Sequence, residues 1–325
     1  MRRRTALVVL TLGLAVSSPL GHAQTTGTIP RIGLLRTNAR GAPDPAAEGF
    51  RRGLHELGYV EGQSIQLEYR WAEGRPDRLP ALAAELAAIN VDVIVTGGEQ
   101  AILAAKRATM TIPIVMGASN DPVGAGLIAS LARPGGNVTG MTILSGERRR
   151  RLELLKEVLP RLSRVAVLSN PAFPGTALDL RQTRDAARTL GLTLEEIEVR
   201  RVADLETAVS AARQRAQAVI ALADPFFTAH RARIVDLTTR HRLPGMYYWA
   251  EFAEAGGLMA YGPSLLDLYR RAATRVDRIL KGARPADLPV EQPTRFELTV
   301  NFKTARALDL GLPQAVLVRA DRVIQ

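Results

Sequence analysis

Short apolar runs alternate with amphipathic helical segments along the chain, and this alternation constrains the fold more than any other feature. Predicted strands of a first set cover 32–35, 65–71, 91–95, 112–116 and 137–143; those of a second set cover 165–168, 192–199, 218–222, 246–249 and 258–261. Helical segments in the gaps are the connections that parallel strands need. The sequence therefore predicts an α/β fold with two Rossmann-like lobes, parallel sheets and right-handed crossovers. A length of 325 residues suits two such domains.

The gaps between the strands predict the helices. Ala47, Phe50, Leu54 and Leu57 share one helical face, and Gly58 ends that helix. Further helices are expected at 99–108, 123–132, 179–190, 204–215 and 227–241.

The residues after 262 form a tail that can cross between the lobes. It holds a helical stripe at 265–279, a proline-rich stretch, a strand at 296–300 and a last short helix. We expect lobe 1 to comprise 29–143 with 263–292, and lobe 2 to comprise 144–262 with 293–325.

The N-terminus has the pattern of a cleavable signal peptide covering residues 1–23. Arg2, Arg3 and Arg4 precede an apolar stretch at 6–16, which is shorter than the ~20 residues of a membrane span. Small residues, Gly21 and Ala23, precede the predicted cleavage site. The arginines leave both the general secretory and the twin-arginine export routes open. Because the chain has no cysteine, it has no lipidation site, and we expect a free periplasmic protein.

The net charge of +11 raises the question of nucleic-acid binding. Three of these charges belong to the predicted leader, and the remainder is scattered arginine, mostly near Asp or Glu. The densest run, 148–151, opens a predicted helix between Glu147 and Glu153. Aromatic residues make up only 5%, whereas nucleic-acid binders interleave aromatic and basic side chains. We therefore expect no nucleic-acid partner.

Polar side chains follow most of the predicted strands. In open α/β sheets, ligands bind beyond the carboxyl ends of the strands, near helix N-termini. The candidate ligand-binding residues of lobe 1 are Thr37, Asn38, Gly98, Glu99, Gln100, Ser119, Asn120 and Asp121. Those of lobe 2 are Asn170, Asp224, Trp249 and Glu251. The acids suit an amine or sugar hydroxyls, and Trp249 offers a stacking surface. The alternative for each polar residue is a helix cap.

The sequence carries only weak motifs for cofactor binding, metal binding or catalysis. Residues 124–129 match the G-x-G-x-x-A dinucleotide pattern, but they follow the fourth strand and are separated from it by Asp121, Pro122 and Val123. No nucleophile elbow, phosphate loop or metal-ligand spacing occurs, so no cofactor and no metal are expected. Three of the four histidines, His55, His230 and His241, fall on predicted helices.

Several segments carry a resemblance to a known family. They are 53–62 (GLHELGYVEG), 68–76 (EYRWAEGRP), 121–127 (DPVGAGL), 132–140 (ARPGGNVTG), 254–263 (EAGGLMAYGP) and 285–294 (PADLPVEQPT). Through them the chain resembles the ABC-transporter substrate-binding proteins of the tryptophan/tyrosine type, over residues 29–325. The resemblance implies a periplasmic binding protein type I fold, with two lobes joined by three crossovers and a solute captured between them. It also implies an ABC permease in the inner membrane as partner.

One residue departs from the family pattern. The family usually carries a small hydroxyl residue where this chain has Glu99, and that hydroxyl would hold a ligand carboxylate at the helix N-terminus. A carboxylate there repels an anion unless Arg36 or another cation offsets it. Ser169 replaces the family's larger residue before Asn-Pro, and Trp249 stands where Phe is frequent.

The sequence thus predicts a soluble, monomeric periplasmic receptor that closes around a polar or zwitterionic, amino-acid-like solute and performs no chemistry. Two alternatives stay open at this point. One is a ligand-sensing subunit for a membrane receptor kinase, which the chain alone does not distinguish from a transport receptor. The other is a secreted α/β hydrolase, because paired acids can do acid–base work.

Overall fold

The computed structural model describes residues 29–143 and 147–325, so the predicted leader and residues 144–146 lie outside the described residues. Five parallel strands form the sheet of lobe 1, in the order β2-β1-β3-β4-β5. Their bounds are β1 Arg31–Arg36, β2 Gln66–Trp71, β3 Val93–Gly97, β4 Ile114–Ala118 and β5 Val138–Gly140. Strand β1 is buried along almost its whole length, as expected for the middle of a covered parallel sheet.

The sheet of lobe 2 has seven strands in the order β12-β11-β10-β9-β8-β6-β7. They are β6 Arg164–Ser169, β7 Thr193–Glu198, β8 Ala218–Ala221, β9 Gly245–Tyr247, β10 Met259–Gly262, β11 Glu297–Asn301 and β12 Arg322–Ile324. Only the β10–β11 pair is antiparallel among the strand pairs of the described residues. Two α/β lobes dominated by parallel pairing confirm the predicted fold class.

Helices cover both sheets. They are α1 Pro45–Glu56, α2 Leu79–Ala88, α3 Glu99–Ala108, α4 Arg148–Val158, α5 Thr176–Thr189, α6 Leu205–Arg215, α7 Pro225–Ala229, α8 Arg231–Arg240, α9 Ala250–Glu254, α10 Leu265–Leu280, α11 Phe302–Ala307 and α12 Gln314–Arg319. Local signals set several starts: Asp44 accepts a hydrogen bond from Ala47 N at 3.1 Å ahead of Pro45, and Ser264 accepts one from Asp267 N at 3.3 Å. No helix of the described segments is long and apolar enough to cross a bilayer.

Helix α10 follows the lobe 2 strand β10 but packs on lobe 1. It lies so close to α1 that a Cβ on Gly49 would come within 2.1 Å of Leu266 O, and one on Gly53 within 2.3 Å of Arg270 O. Farther along, Glu291 pairs with Met141 beside β5, and β11 then joins the sheet of lobe 2. The chain therefore passes between the sheets after β5, after β10 and before β11. The lobe boundaries at 143/144, 262/263 and 292/293 stay predictions.

Three local predictions are wrong. Residues 123–132, expected to be a helix, form consecutive turns, because Gly126 has a φ of +67° and Asp121 Oδ1 accepts from Gly124 N at 2.9 Å. The helix expected at 227–241 is broken at His230 into α7 and α8. The tail ends in two short helices and strand β12, which was not predicted because its mostly exposed residues lack an apolar alternation.

Candidate functional site

A cavity of about 770 Å³, its open mouth included, lies between the two sheets at the carboxyl ends of their strands. The loops after β1, β3 and β4 form its lobe 1 wall, and the loops after β8 and β9 form its lobe 2 wall. Leu265 and Tyr269 of α10 complete the lining. This is the place where open α/β sheets bind small molecules.

Tyr269 reaches the cavity because strands β3 and β4 each carry a glycine near their carboxyl end. A Cβ on Gly117 would lie 2.2 Å from the Tyr269 ring, and one on Gly97 would lie 2.3 Å from its hydroxyl. Arg36 Nη1 donates to the Tyr269 hydroxyl at 3.1 Å. The bare backbone of β3 and β4 therefore makes room for a ring that comes from a helix far along the chain.

Arg36 also makes a two-point ion pair with Asp44. Its Nε and Nη2 donate to the two carboxylate oxygens at 2.8 and 2.6 Å. Although burial opposes both charges, Arg36 lowers the pKa of Asp44, and Tyr269 with Asp44 raises the pKa of Arg36. The positive charge of Arg36 is thus neutralised inside lobe 1.

The structure brings most predicted site residues to this cavity. Those that line it are Thr37, Asn38, Gly98, Asn120, Asp224, Trp249 and Glu251. Those that lie outside its lining are Glu99, Gln100, Ser119, Asp121 and Asn170. Three of the second group make local bonds: Ser119 Oγ donates to Glu99, Asp121 caps the turn at Gly124, and Asn170 Oδ1 accepts from Ala172 N at 3.1 Å. A direct contact of these five with a solute stays a prediction.

Glu99 is a buried carboxylate that is held by its own lobe. Its Oε1 accepts hydrogen bonds from Ser119 Oγ at 2.8 Å, from Asn120 N, and from Asp121 N at 3.0 Å. Burial raises the pKa of Glu99 despite these donors. Glu99 therefore supports the loop after β4 through Oε1, while its Oε2 is buried without a hydrogen-bond partner.

The two lobes touch each other around the cavity. Asn120 Nδ2 donates to Ala223 O at 2.7 Å, and Gln100 Nε2 donates to Ala172 O at 3.1 Å. Gly98 has a φ of +81°, and a Cβ there would meet Pro225 Cγ at 2.6 Å. Glycine is thus needed at 98 both for its backbone conformation and for the approach of lobe 2. These contacts describe lobes that are closed on one another.

Asp224 carries the main polar group on the lobe 2 wall. Its Oδ1 caps α7 by accepting from Phe226 N at 2.6 Å, while its Oδ2 is buried without a hydrogen-bond partner. Burial raises the pKa of Asp224 to about 7; the hydrogen bond from Phe226 N and the nearby Asn170 side chain oppose this shift, and the charge of Glu99 adds to it. Such a carboxylate lacks one donor, which a ligand can supply.

The lobe 2 wall also holds Trp249, Glu251 and Arg231. Trp249 packs edge-on against Tyr248, with ring centroids 4.7 Å apart. Glu251 Oε2 is buried without a partner, and burial raises the pKa of Glu251. Arg231 Nη1 donates to Thr228 O at 3.0 Å.

Sequence reasoning missed three charged or aromatic lining residues, Asp44, Arg231 and Tyr269, and it named Arg36 only as a counter-charge to Glu99. The Asp-Pro pair at 44–45 was a readable helix start, and it marks the end of a loop that follows a strand. Tyr269 is one of the buried residues of α10, so it has no signal beyond its helical stripe. Within residues 29–143 and 147–325, no group of three His, Asp or Glu side chains is placed to hold a metal ion.

The comparison with known proteins agrees with the fold described above. The family model described as "ABC transporter substrate binding protein" matches residues 38–324. The chain belongs to this family. A tyrosine-binding protein of Clostridioides difficile strain R20291 is 25% identical over 280 residues, which cover 86% of this chain and 81% of the relative.

Two crystal structures are similar over 91% of this chain and all of theirs. The ABC domain from Streptococcus pneumonia in complex with L-Trp has a TM-score of 0.86 and 26% identity. A conserved domain protein from Vibrio cholerae O1 biovar El Tor strain N16961 has a TM-score of 0.86 and 28% identity. The predicted family is therefore confirmed, and membership implies a small-molecule ligand and a transporter permease as partner. Neither the receptor-kinase subunit nor the hydrolase finds support.

Proposed function

We propose that this ABC substrate-binding protein is a free periplasmic receptor that captures an amino-acid-like solute between its lobes and delivers it to an inner-membrane permease. The observation that carries the proposal is the cavity between the lobes with its unpartnered buried Asp224 Oδ2. A buried carboxylate oxygen without a donor is costly, and a ligand ammonium group supplies that donor with a charge. The relatives bound to L-Trp or named for tyrosine support an amino-acid-like solute.

Capture is a change of lobe arrangement with no covalent step. We propose that the three chain passages between the lobes act as the hinge, and that Asn120 and Gln100 join the lobes once the solute is inside. Export by cleavage after Ala23, a monomeric state and the absence of enzymatic activity belong to the same proposal.

The test is native mass spectrometry of the protein purified from the periplasm, followed by calorimetric titration of the ligand-stripped protein with the common L-amino acids. We expect a single small molecule to copurify and at least one amino acid to bind in the micromolar range or tighter. A protein that carries no small molecule and binds none of the amino acids contradicts the proposal. A cell fractionation that leaves the uncleaved chain in the cytoplasm contradicts its export.

A further inference from the structure

The charges of the cavity wall do not balance one another. Arg36 and Asp44 neutralise each other within lobe 1. Asp224, Glu251 and Arg231 also line the cavity, and none of these three forms an ion pair within the described part of the chain. The wall therefore presents two carboxylates and one guanidinium that form no ion pair, and its net charge is negative. Burial raises the pKa of Glu251, and the charges of Arg231 and Arg322 oppose this shift from beyond ion-pair distance.

Both carboxylates have a buried oxygen that lacks a donor. These atoms are Asp224 Oδ2 and Glu251 Oε2, and Asp224 is only 3% exposed. The two carboxylates stand on different loops, after β8 and after β9. One ammonium group satisfies one of them, so a solute with a single cationic group leaves the other unpaired in a closed cavity.

Arg231 is suited to bind a negatively charged group of the solute. Only its Nη1 is used, in the hydrogen bond to Thr228 O, and the rest of its guanidinium fork has donors to spare. A guanidinium with free donors binds a carboxylate at two points. Since Arg36 is already occupied by Asp44, Arg231 is the guanidinium of the wall that remains for a ligand carboxylate.

We infer that the solute is a basic amino acid, with one cationic group at Asp224, the second at Glu251 and the carboxylate at Arg231. The inference rests on the proposed function and names its substrate class. Buried Glu99, which acts electrostatically on Asp224 from behind the lobe 1 wall, adds further negative charge and so favours a solute of net positive charge.

Titration of the ligand-stripped protein with defined solutes tests this assignment. The probes are L-lysine and L-arginine, against L-tyrosine and L-tryptophan as neutral side chains and cadaverine as a diamine without carboxylate. We expect lysine and arginine to bind at least about tenfold more tightly than tyrosine and tryptophan, which leave Glu251 unpaired. We expect the same margin over cadaverine, which leaves Arg231 unpaired. Tyrosine or tryptophan binding as tightly as lysine overturns the inference and leaves the proposed function standing. Binding of none of the amino acids overturns both, and cadaverine matching lysine overturns the role of Arg231.

Two variants on helix α9 distinguish the loss of the second cation site from a general effect of removing a carboxylate from this helix. Glu251→Gln removes a charge from the cavity wall, whereas Glu254→Gln, on the same helix α9, removes an exposed carboxylate that lies outside the lining and pairs with Arg322 at 2.5 Å. We expect Glu251→Gln to weaken lysine binding by about tenfold. Glu254→Gln, whose charge reaches the cavity only through its effect on Glu251, should change the affinity by less than about twofold, with both thermal midpoints close to that of the parent. Equal lysine affinity in the parent and in Glu251→Gln contradicts a second cation site.

Discussion

Glu99 and Asp224 are two carboxylates in equivalent places that the structure uses differently. Each follows a buried strand, each stands at a helix start, and each is almost completely buried. Glu99 Oε1 collects three donors from the loop after β4, and the residue lies outside the cavity lining. Asp224 uses Oδ1 for the cap of α7 and leaves Oδ2 unpartnered at the cavity. Glu99 Oε2 is buried without a partner as well, so the two acids differ in the donors to their other oxygen and in their place: Asp224 lines the cavity and Glu99 does not.

The largest effect expected from this difference is the loss of binding in Asp224→Asn. The amide still caps α7, because Asn is as good an N-cap as Asp, but it has no charge for the solute. We expect the affinity for the tightest amino acid to fall by about 100-fold, since a charged hydrogen bond is worth about 1.5–3 kcal/mol. Calorimetric titration measures the affinity. An unchanged dissociation constant would show that Oδ2 does not meet the ligand.

Glu99→Ala is the matching change on the scaffold side, and it should damage stability more than binding. It removes the acceptor of Asn120 N, Asp121 N and Ser119 Oγ, and it leaves the two amides buried without partners. We expect the free energy of unfolding to fall by about 2 kcal/mol in urea titrations. Glu85→Ala is the control, because its carboxylate is half exposed in an ion pair with Arg70 and should cost less than about 1 kcal/mol. Equal losses in the two variants would falsify the structural role of Glu99.

The same comparison predicts how binding depends on pH. Burial raises the pKa of Asp224 to about 7, so its carboxyl group is mostly protonated below that pH. A cationic group needs the ionised carboxylate, and binding therefore releases the proton. We expect the dissociation constant to rise by about tenfold or more as the pH is lowered from 8 to 5.5. Titrations across this range measure the effect.

The control for the pH dependence is Asp224→Asn. Lysine and arginine stay predominantly in their singly positive form between pH 5.5 and 8, so with these two probes the dependence belongs to the protein. Burial also raises the pKa of Glu99 and of Glu251, and both carboxylates remain in the variant. The dependence should therefore become shallower without vanishing. A variant with the same slope as the parent would assign the proton to another group.

Much of the fold could be predicted because its signals are local. The apolar runs and helical stripes place most strands and helices within a few residues of their bounds. Strand β12 was missed because it exists only through pairing with β11. The turns at 123–132 replaced a helix because Asp121 and the positive φ of Gly126 compete with helical hydrogen bonds.

The site was predicted to the level of its loops but not of its side chains. Glu99 accepts hydrogen bonds from the amides of 120 and 121 in the loop after β4, a contact between segments that are about 20 residues apart in the chain. Arg231 was hidden inside a single predicted helix that is in fact broken at His230. Such facts depend on how distant segments pack, so no spacing in the sequence carries them.

The smallest effect concerns the contact between the lobes at a residue that lies outside the cavity lining. Gln100 Nε2 donates to Ala172 O across the lobes at 3.1 Å, at a partly exposed position. Gln100→Ala removes this bond only from the closed state, so we expect about threefold weaker binding and a faster release of solute in stopped-flow measurements, which is the range of a single neutral hydrogen bond. Gln63→Ala, an exposed glutamine of the same lobe with no side-chain bond in the described structure, should change neither quantity. If the two variants behave alike, the closure of the lobes is held by Asn120 and the solute without help from Gln100.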